Sequence, residues 1–169
     1  MIRKASPEDA SLLSKISIDS FIPAHGHSAP KDIINNYMRM NFSVSNLIHE
    51  LNDPSSHFFL LYHENQIAGY SKVMFNQVGE CINTKKATYM SRLYLLKQFY
   101  NLGLGKQLFD YNVAYCKENH QKSIWLKVWV ENEKAIAFYR KMGFKQVGLS
   151  DFKLSEDHYN PNYVLSLEI

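Results

Sequence analysis

A glycine-spaced turn, Tyr100-Asn101-Leu102-Gly103-Leu104-Gly105-Lys106, lies between an apolar, aromatic run over residues 87–96 and a helical pattern that opens near Leu104. Strand, glycine turn and helix in that order make an anion-binding layout. Glycine places no Cβ between a ligand and the backbone, and the first turn of a helix offers unpaired N–H groups at the positive end of its dipole. Lys106 adds a cation. A phosphate or pyrophosphate suits the arrangement; a plain tight turn is the alternative, because the spacing matches neither a Walker loop nor the three-glycine dinucleotide fingerprint. The pair His25 and His27 lacks a nearby third ligand, which argues against a metal. Cys81 and Cys116 have no metal spacing and read as reduced thiols.

The elements that must position this turn follow from periodicity. A short strand over 2–5 stops at Ser6-Pro7, a helix-start pair, and a helix with apolar spacing at Ala10, Leu13, Ile16 and Phe21 runs to Pro23. Residues 24–30 break the pattern, and short helices are expected over 32–40 and 44–51. A hairpin is expected from strands over 57–62 and 66–75 around Glu64-Asn65, then a polar loop to residue 86 and a central strand over 87–96. The helix after the glycine turn would bury Leu104, Leu108, Phe109, Val113 and Cys116. A strand over 123–130 turns Ile124, Leu126, Val128 and Val130 to one side and Trp125, Lys127 and Trp129 to the other. Asn132 caps a last helix that ends at Gly143, and strands over 145–154 and 163–167 follow, joined by a polar loop through Pro161. The pattern predicts an α/β domain built on one mixed sheet with helices on both faces.

At 169 residues the chain is expected to form one domain, 1–169, with 46% hydrophobic and 21% charged residues, values typical of globular proteins. A formal charge of +3 spread over scattered lysines does not call for nucleic acid, and no apolar stretch reaches membrane-spanning length. With no signal-peptide pattern at Met1-Ile2-Arg3-Lys4, the expected location is the cytoplasm.

From Leu93 to Gly148 the chain resembles the GNAT superfamily of N-acetyltransferases. Its acetyl-CoA loop corresponds to Tyr100–Gly105, and its second signature to Asn132, Ala135, Phe138-Tyr139 and Gly143-Phe144. Residues 124–129 and 132–144 are similar to PaiA-type polyamine acetyltransferases. The resemblance implies the GNAT fold, a twisted, mostly antiparallel sheet of about seven strands, with acetyl-CoA as acyl donor and a small-molecule amine, first of all a polyamine such as spermidine, as acceptor. A protein N-terminus or another small amine as acceptor, or a CoA-binding regulator with weak catalysis, are the rival readings. A homodimer docking through residues 151–162 is compatible with it.

Amide formation from a thioester needs a bound donor, an uncharged amine, a holder for the oxyanion and a proton for the thiolate. The resemblance puts the diphosphate on the amides of Asn101, Leu102, Gly103, Leu104, Gly105 and Lys106, the pantetheine arm along Leu93, Tyr94 and Leu95, and further contacts at Tyr100, Asn132 and Ala135. It makes Tyr139 the acid to the sulfur; an amphipathic core residue is the reading from spacing alone. Tyr100 stands where the superfamily prefers Arg or Gln, and Ser91 where such enzymes carry an acid. The base is therefore open among a Ser91-held water, Glu80, Glu131, His25 and His27. Ser91, Tyr89 and Trp129 are the candidate acceptor-site residues, with core packing the alternative for the two aromatics.

Overall fold

The structure, a computed structural model, describes residues 1–79 and 81–169. Its elements are β1 (Ile2–Lys4), α1 (Ala10–His25), α2 (Lys31–Asn41), α3 (Val44–Asn52), β2 (Ser56–His63), β3 (Gln66–Met74), β4 (Ala87–Leu95), α4 (Leu104–Glu118), β5 (Ser123–Trp129), α5 (Glu133–Lys141), β6 (Lys145–Ser155) and β7 (His158–Glu168). They form one seven-stranded sheet in the order β1-β2-β3-β4-β5-β7-β6, antiparallel except for the β4–β5 pair. This is the mostly antiparallel, seven-stranded sheet expected from the sequence.

Local chemistry sets the element boundaries. Ser6 and Asp9 form a capping box with Pro7 in the first turn, and Asp9 is also held by Arg3 at 2.6 Å, which ties the entry of α1 to β1. Glu64 and Asn65 adopt positive φ of 47° and 62°, the twist-matched geometry of a two-residue hairpin. Two readings from the sequence are corrected. Pro23 does not end α1 but sits inside it, and the helix runs on to His25. The stretch before the last strand is not a loop: β6 and β7 are eleven residues each, Pro161 pairs with Asp151, and the connection shrinks to Glu156-Asp157.

The β3–β4 register contains the irregularity that matters for function. Lys72 is opposite Arg92 and Val73 opposite Met90, so Ser91 is an extra residue on β4. Beside this bulge Glu50 of α3 accepts from both guanidinium nitrogens of Arg92, at 2.8 and 3.1 Å, and lies 3.2 Å from the Lys72 ammonium. The Arg92 guanidinium also covers the rings of Phe42 and Phe58. One carboxylate thus serves two buried cations. On the opposite face of the sheet, Asn112 of α4 exchanges hydrogen bonds with Ser71 at 2.9–3.0 Å, a buried polar contact that the apolar periodicity of α4 does not announce. Loss of the Glu50 carboxylate should be severe because it strands both cations: Glu50→Ala is expected to lower the unfolding free energy by about 3–5 kcal/mol in urea titrations.

Candidate functional site

Strands β4 and β5 are paired only through Ala87–Ser123, Thr88–Ile124 and Tyr89–Trp125. Beyond Tyr89 they part. The edge of β4 from Met90 to Leu95 therefore faces a cleft in place of a neighbouring strand, leaving main-chain groups there with no partner among the described strands. Buried backbone groups of this kind are nearly always paired, so an extended ligand can complete the sheet at this point.

At the far end of β4 a single 3-10 turn over Lys97–Phe99 leads into the glycine turn. Asn101 and Gly103 both have left-handed backbones, φ 64° and 74°. The first helical bond of α4 runs from the Gln107 N–H to the Gly103 carbonyl at 3.1 Å, and no side chain among the described residues caps the helix, so the amides of its first turn are left unpaired there. A Cβ built on Gly103 meets nothing within 4 Å. The space it would occupy is open to a ligand. Gly105 differs: a Cβ there would make ordinary contact with Leu95 and Phe138 at 3.6 and 3.7 Å, so this position faces the packing of α4 on β4 and α5 and not open space. Lys106 pairs with Asp110 on the helix surface, and Tyr100 is 39% exposed at the rim.

From the other side α5 delivers Asn132 and Tyr139. The Asn132 side-chain oxygen accepts from the Ala135 N–H at 3.2 Å, which leaves its amide nitrogen available. The Tyr139 ring packs against Phe138 and Phe144, and Ala135, Phe138 and Tyr139 all border the main core. Burial, with the Tyr89 phenol close by, raises the Tyr139 pKa well above that of a free phenol. Tyr94 is raised likewise, by burial and by Tyr70, Tyr37 and, more weakly, Tyr139. The phenols of Tyr89, Tyr94 and Tyr139 thus come together around the cleft. Ser91, at the bulge, has a buried hydroxyl with no hydrogen-bond partner among the described residues.

The α1 side closes the cleft with aromatic residues. Tyr89 stacks on Trp125, with ring centroids 4.3 Å apart. His25 packs on Phe21, Tyr94 and Trp129, and His27 on Trp129. The structure therefore gathers Tyr89, Ser91, Leu93–Leu95, Trp129 and Tyr139 at the fork, with the turn over 100–106 at its outer end. Glu131 is exposed just past β5, and Glu80 lies outside the described residues. Sequence reasoning missed Trp125 and the burial of His25. Period-2 alternation already puts Trp125 on the same face as Trp129, but no sequence signal shows that Pro23 lets α1 continue.

Residues 16–144 match the Acetyltransferase (GNAT) family. The chain belongs to that family. It is 28% identical over 156 residues to an uncharacterized N-acetyltransferase (pepI 3′ region) of Lactobacillus delbrueckii subsp. lactis, covering 92% of this chain and 90% of the other. It is 28% identical over 94 residues to a probable spermine N(1)-acetyltransferase of Bacillus subtilis subsp. natto, covering 54% and 61%. Among solved structures, PaiA N-acetyltransferase from Thermoplasma acidophilum in complex with coenzyme A superposes with a TM-score of 0.79 at 20% identity, over 100% of this chain and 98% of that one. This GNAT protein is an acyltransferase, with acetyl-CoA as its donor. The unpaired edge of β4, the free amides of the α4 turn and the orphaned Ser91 hydroxyl all fit an elongated, anionic acyl carrier.

The left-handed backbone at Gly103 gives a direct test. A valine there is strained by its Cβ, so Gly103→Val should lower stability by about 1–2 kcal/mol in chemical denaturation and should also remove coenzyme A binding by filling the space over the amides.

Proposed function

We propose that this GNAT protein transfers an acetyl group directly from acetyl-CoA to a primary amine, both held at the β4–β5 fork, without an acyl-enzyme. The observation that carries the reading is that a sheet edge, an N-terminal helix turn with free amides and a buried phenol converge on one cleft. Neither cysteine offers a nucleophile there. Burial pushes the Cys116 thiol up to about 11 beneath Thr88, and Cys81 packs against Gly148.

In this reading the amides of Asn101–Lys106 receive the diphosphate, and Tyr100 and the Asn132 amide nitrogen hydrogen-bond the donor from either side, next to Ala135. Leu93, Tyr94 and Leu95 pair with the pantetheine arm as an added strand. A main-chain N–H of that edge meets the thioester carbonyl, where a fixed donor stabilises the developing oxyanion; losing one such donor typically lowers the rate ~10²–10³-fold. Tyr139 protonates the leaving sulfur. Its raised pKa makes it a weak acid in the resting cleft, yet a thiolate released in the same apolar surroundings is made more basic by the same burial, so the two acidities stay close enough for the proton to pass to sulfur. Tyr89, Ser91 and Trp129 line the acceptor side.

For the acceptor, spermidine and spermine come first. The partial similarity to a probable spermine N(1)-acetyltransferase supports that class. The charges on the acceptor face give it no added support, since Glu50 is already engaged by both Arg92 and Lys72.

The acid role has a defined signature. Tyr139→Phe should lower kcat for thiol release by about 10²-fold or more while coenzyme A affinity is unchanged. A kcat equal to wild type would remove Tyr139 from the proton path, and coenzyme A binding without thiol release for any amine would favour a CoA-binding regulator over an enzyme.

A further inference from the structure

Resting on the transfer reaction just described, we propose that His25 is the base that takes the proton from the acceptor nitrogen. With Ser91 in place of an acid and the Glu50 carboxylate beside the bulge taken up by Arg92 and Lys72, His25 is the basic group among the described residues that reaches both prongs of the fork. Its ring centroid lies 6.1 Å from that of Tyr94 on β4 and 6.4 Å from that of Trp129 on β5, and 4.8 Å from Phe21, one helical turn earlier on α1. Those three rings surround it, and His27 is the neighbour that acts on it by charge. His27 itself is exposed and packs on Trp129 alone of the two prongs.

The local chain holds His25 in this position. A Cβ at Gly26 would lie 2.6 Å from the Ile22 carbonyl oxygen, and the Gly26 N–H donates to that oxygen at 2.8 Å. Glycine therefore lets the chain turn tightly immediately after His25 and fixes the last turn of α1. Neither imidazole nitrogen has a hydrogen-bond partner among the described residues, so no protein group competes for the proton-accepting nitrogen. Burial holds the pKa of the ring at about 4, which leaves it neutral at physiological pH.

So weak a base does not strip a proton from a free ammonium ion with a pKa near 10.4. The same apolar cleft, however, admits the amine in its neutral form. The amine lone pair then bonds to the thioester carbon while the carbonyl pair moves to oxygen. The nitrogen, now positively charged in the adduct, is far more acidic than an ammonium ion, and its proton passes to the imidazole. The C–S bond breaks as the oxyanion collapses, the sulfur takes the Tyr139 proton, and the phenolate recovers a proton from the imidazolium through water. Amine and acetyl thioester give amide and thiol, with no proton left over.

The test uses thiol release by the full-length protein with acetyl-CoA and a panel of primary amines that includes spermidine. His25→Phe keeps an aromatic ring against Phe21 and Trp129 but cannot accept a proton; kcat should fall by about 10²-fold or more, with the KM for acetyl-CoA and the thermal midpoint close to wild type. In His25→Ala, added imidazole should restore part of the lost rate, which a purely structural role would not allow. If His25→Phe fails to fold, His25→Gln serves in its place with the same expectation. Should wild type turn over and the histidine variants stay within about threefold of it, the assignment to His25 is overturned while the transfer reaction stands. Should wild type bind coenzyme A but release no thiol with any amine, the transfer reading falls and the role of His25 falls with it.

Discussion

The parting of β4 from β5 is the constraint on which the rest of the molecule depends. Three residue pairs join the strands, and then the central strand continues to Leu95 with one edge bare. A bare strand edge in the interior is unfavourable unless something pairs with it. Several features keep this edge open. The extra residue at Ser91 breaks the β3–β4 register just after the last β4–β5 pair, and α5 and α1 wall the gap with Tyr139 on one side and His25 on the other. A ligand with an extended backbone-like arm and a diphosphate at its far end matches both the edge and the turn that follows it.

Rigid surroundings hold the fork in shape. Arg92, next to the bulge, is clamped by Glu50 and covers two phenylalanine rings, while Asn112 anchors α4 to Ser71 on β3 through the opposite face. The first clamp is charged and the second neutral, but both join a helix to the strands beside the bulge. The cleft at the fork is lined by phenols and an imidazole that have no hydrogen-bond partner among the described residues, groups that stay neutral in apolar surroundings and become useful when a reaction develops charge among them.

Much of this arrangement was legible in the sequence because its determinants are local. Gly103 before a helical pattern, Asn132 three residues ahead of Ala135, and the alternation of Trp125 and Trp129 each act within a few residues, and the structure keeps all three local arrangements. What was not legible depends on distant contacts. Pro23 suggests a stop, yet α1 packs on the sheet and continues through it to His25. Pro161 suggests a loop, yet it is accommodated within β7 opposite Asp151, and its carbonyl accepts from the Val130 N–H. The shared carboxylate of Glu50 brings residues 50, 72 and 92 together, a pairing that no periodicity reveals. Gly105 shows the same limit at shorter range: its place in the turn was readable, but the direction of its α-carbon toward Leu95 and Phe138 was not.

The central claim is that acetyl-CoA completes the sheet along β4 and rests its diphosphate on the turn before α4. Hydrogen–deuterium exchange with and without coenzyme A, read at single-amide resolution, tests it most directly. The account predicts slowed exchange at amides within Leu93–Leu95 and Asn101–Lys106 when the ligand is bound, with the β6–β7 hairpin unaffected. Saturating coenzyme A that leaves exchange in those two stretches unchanged would contradict it.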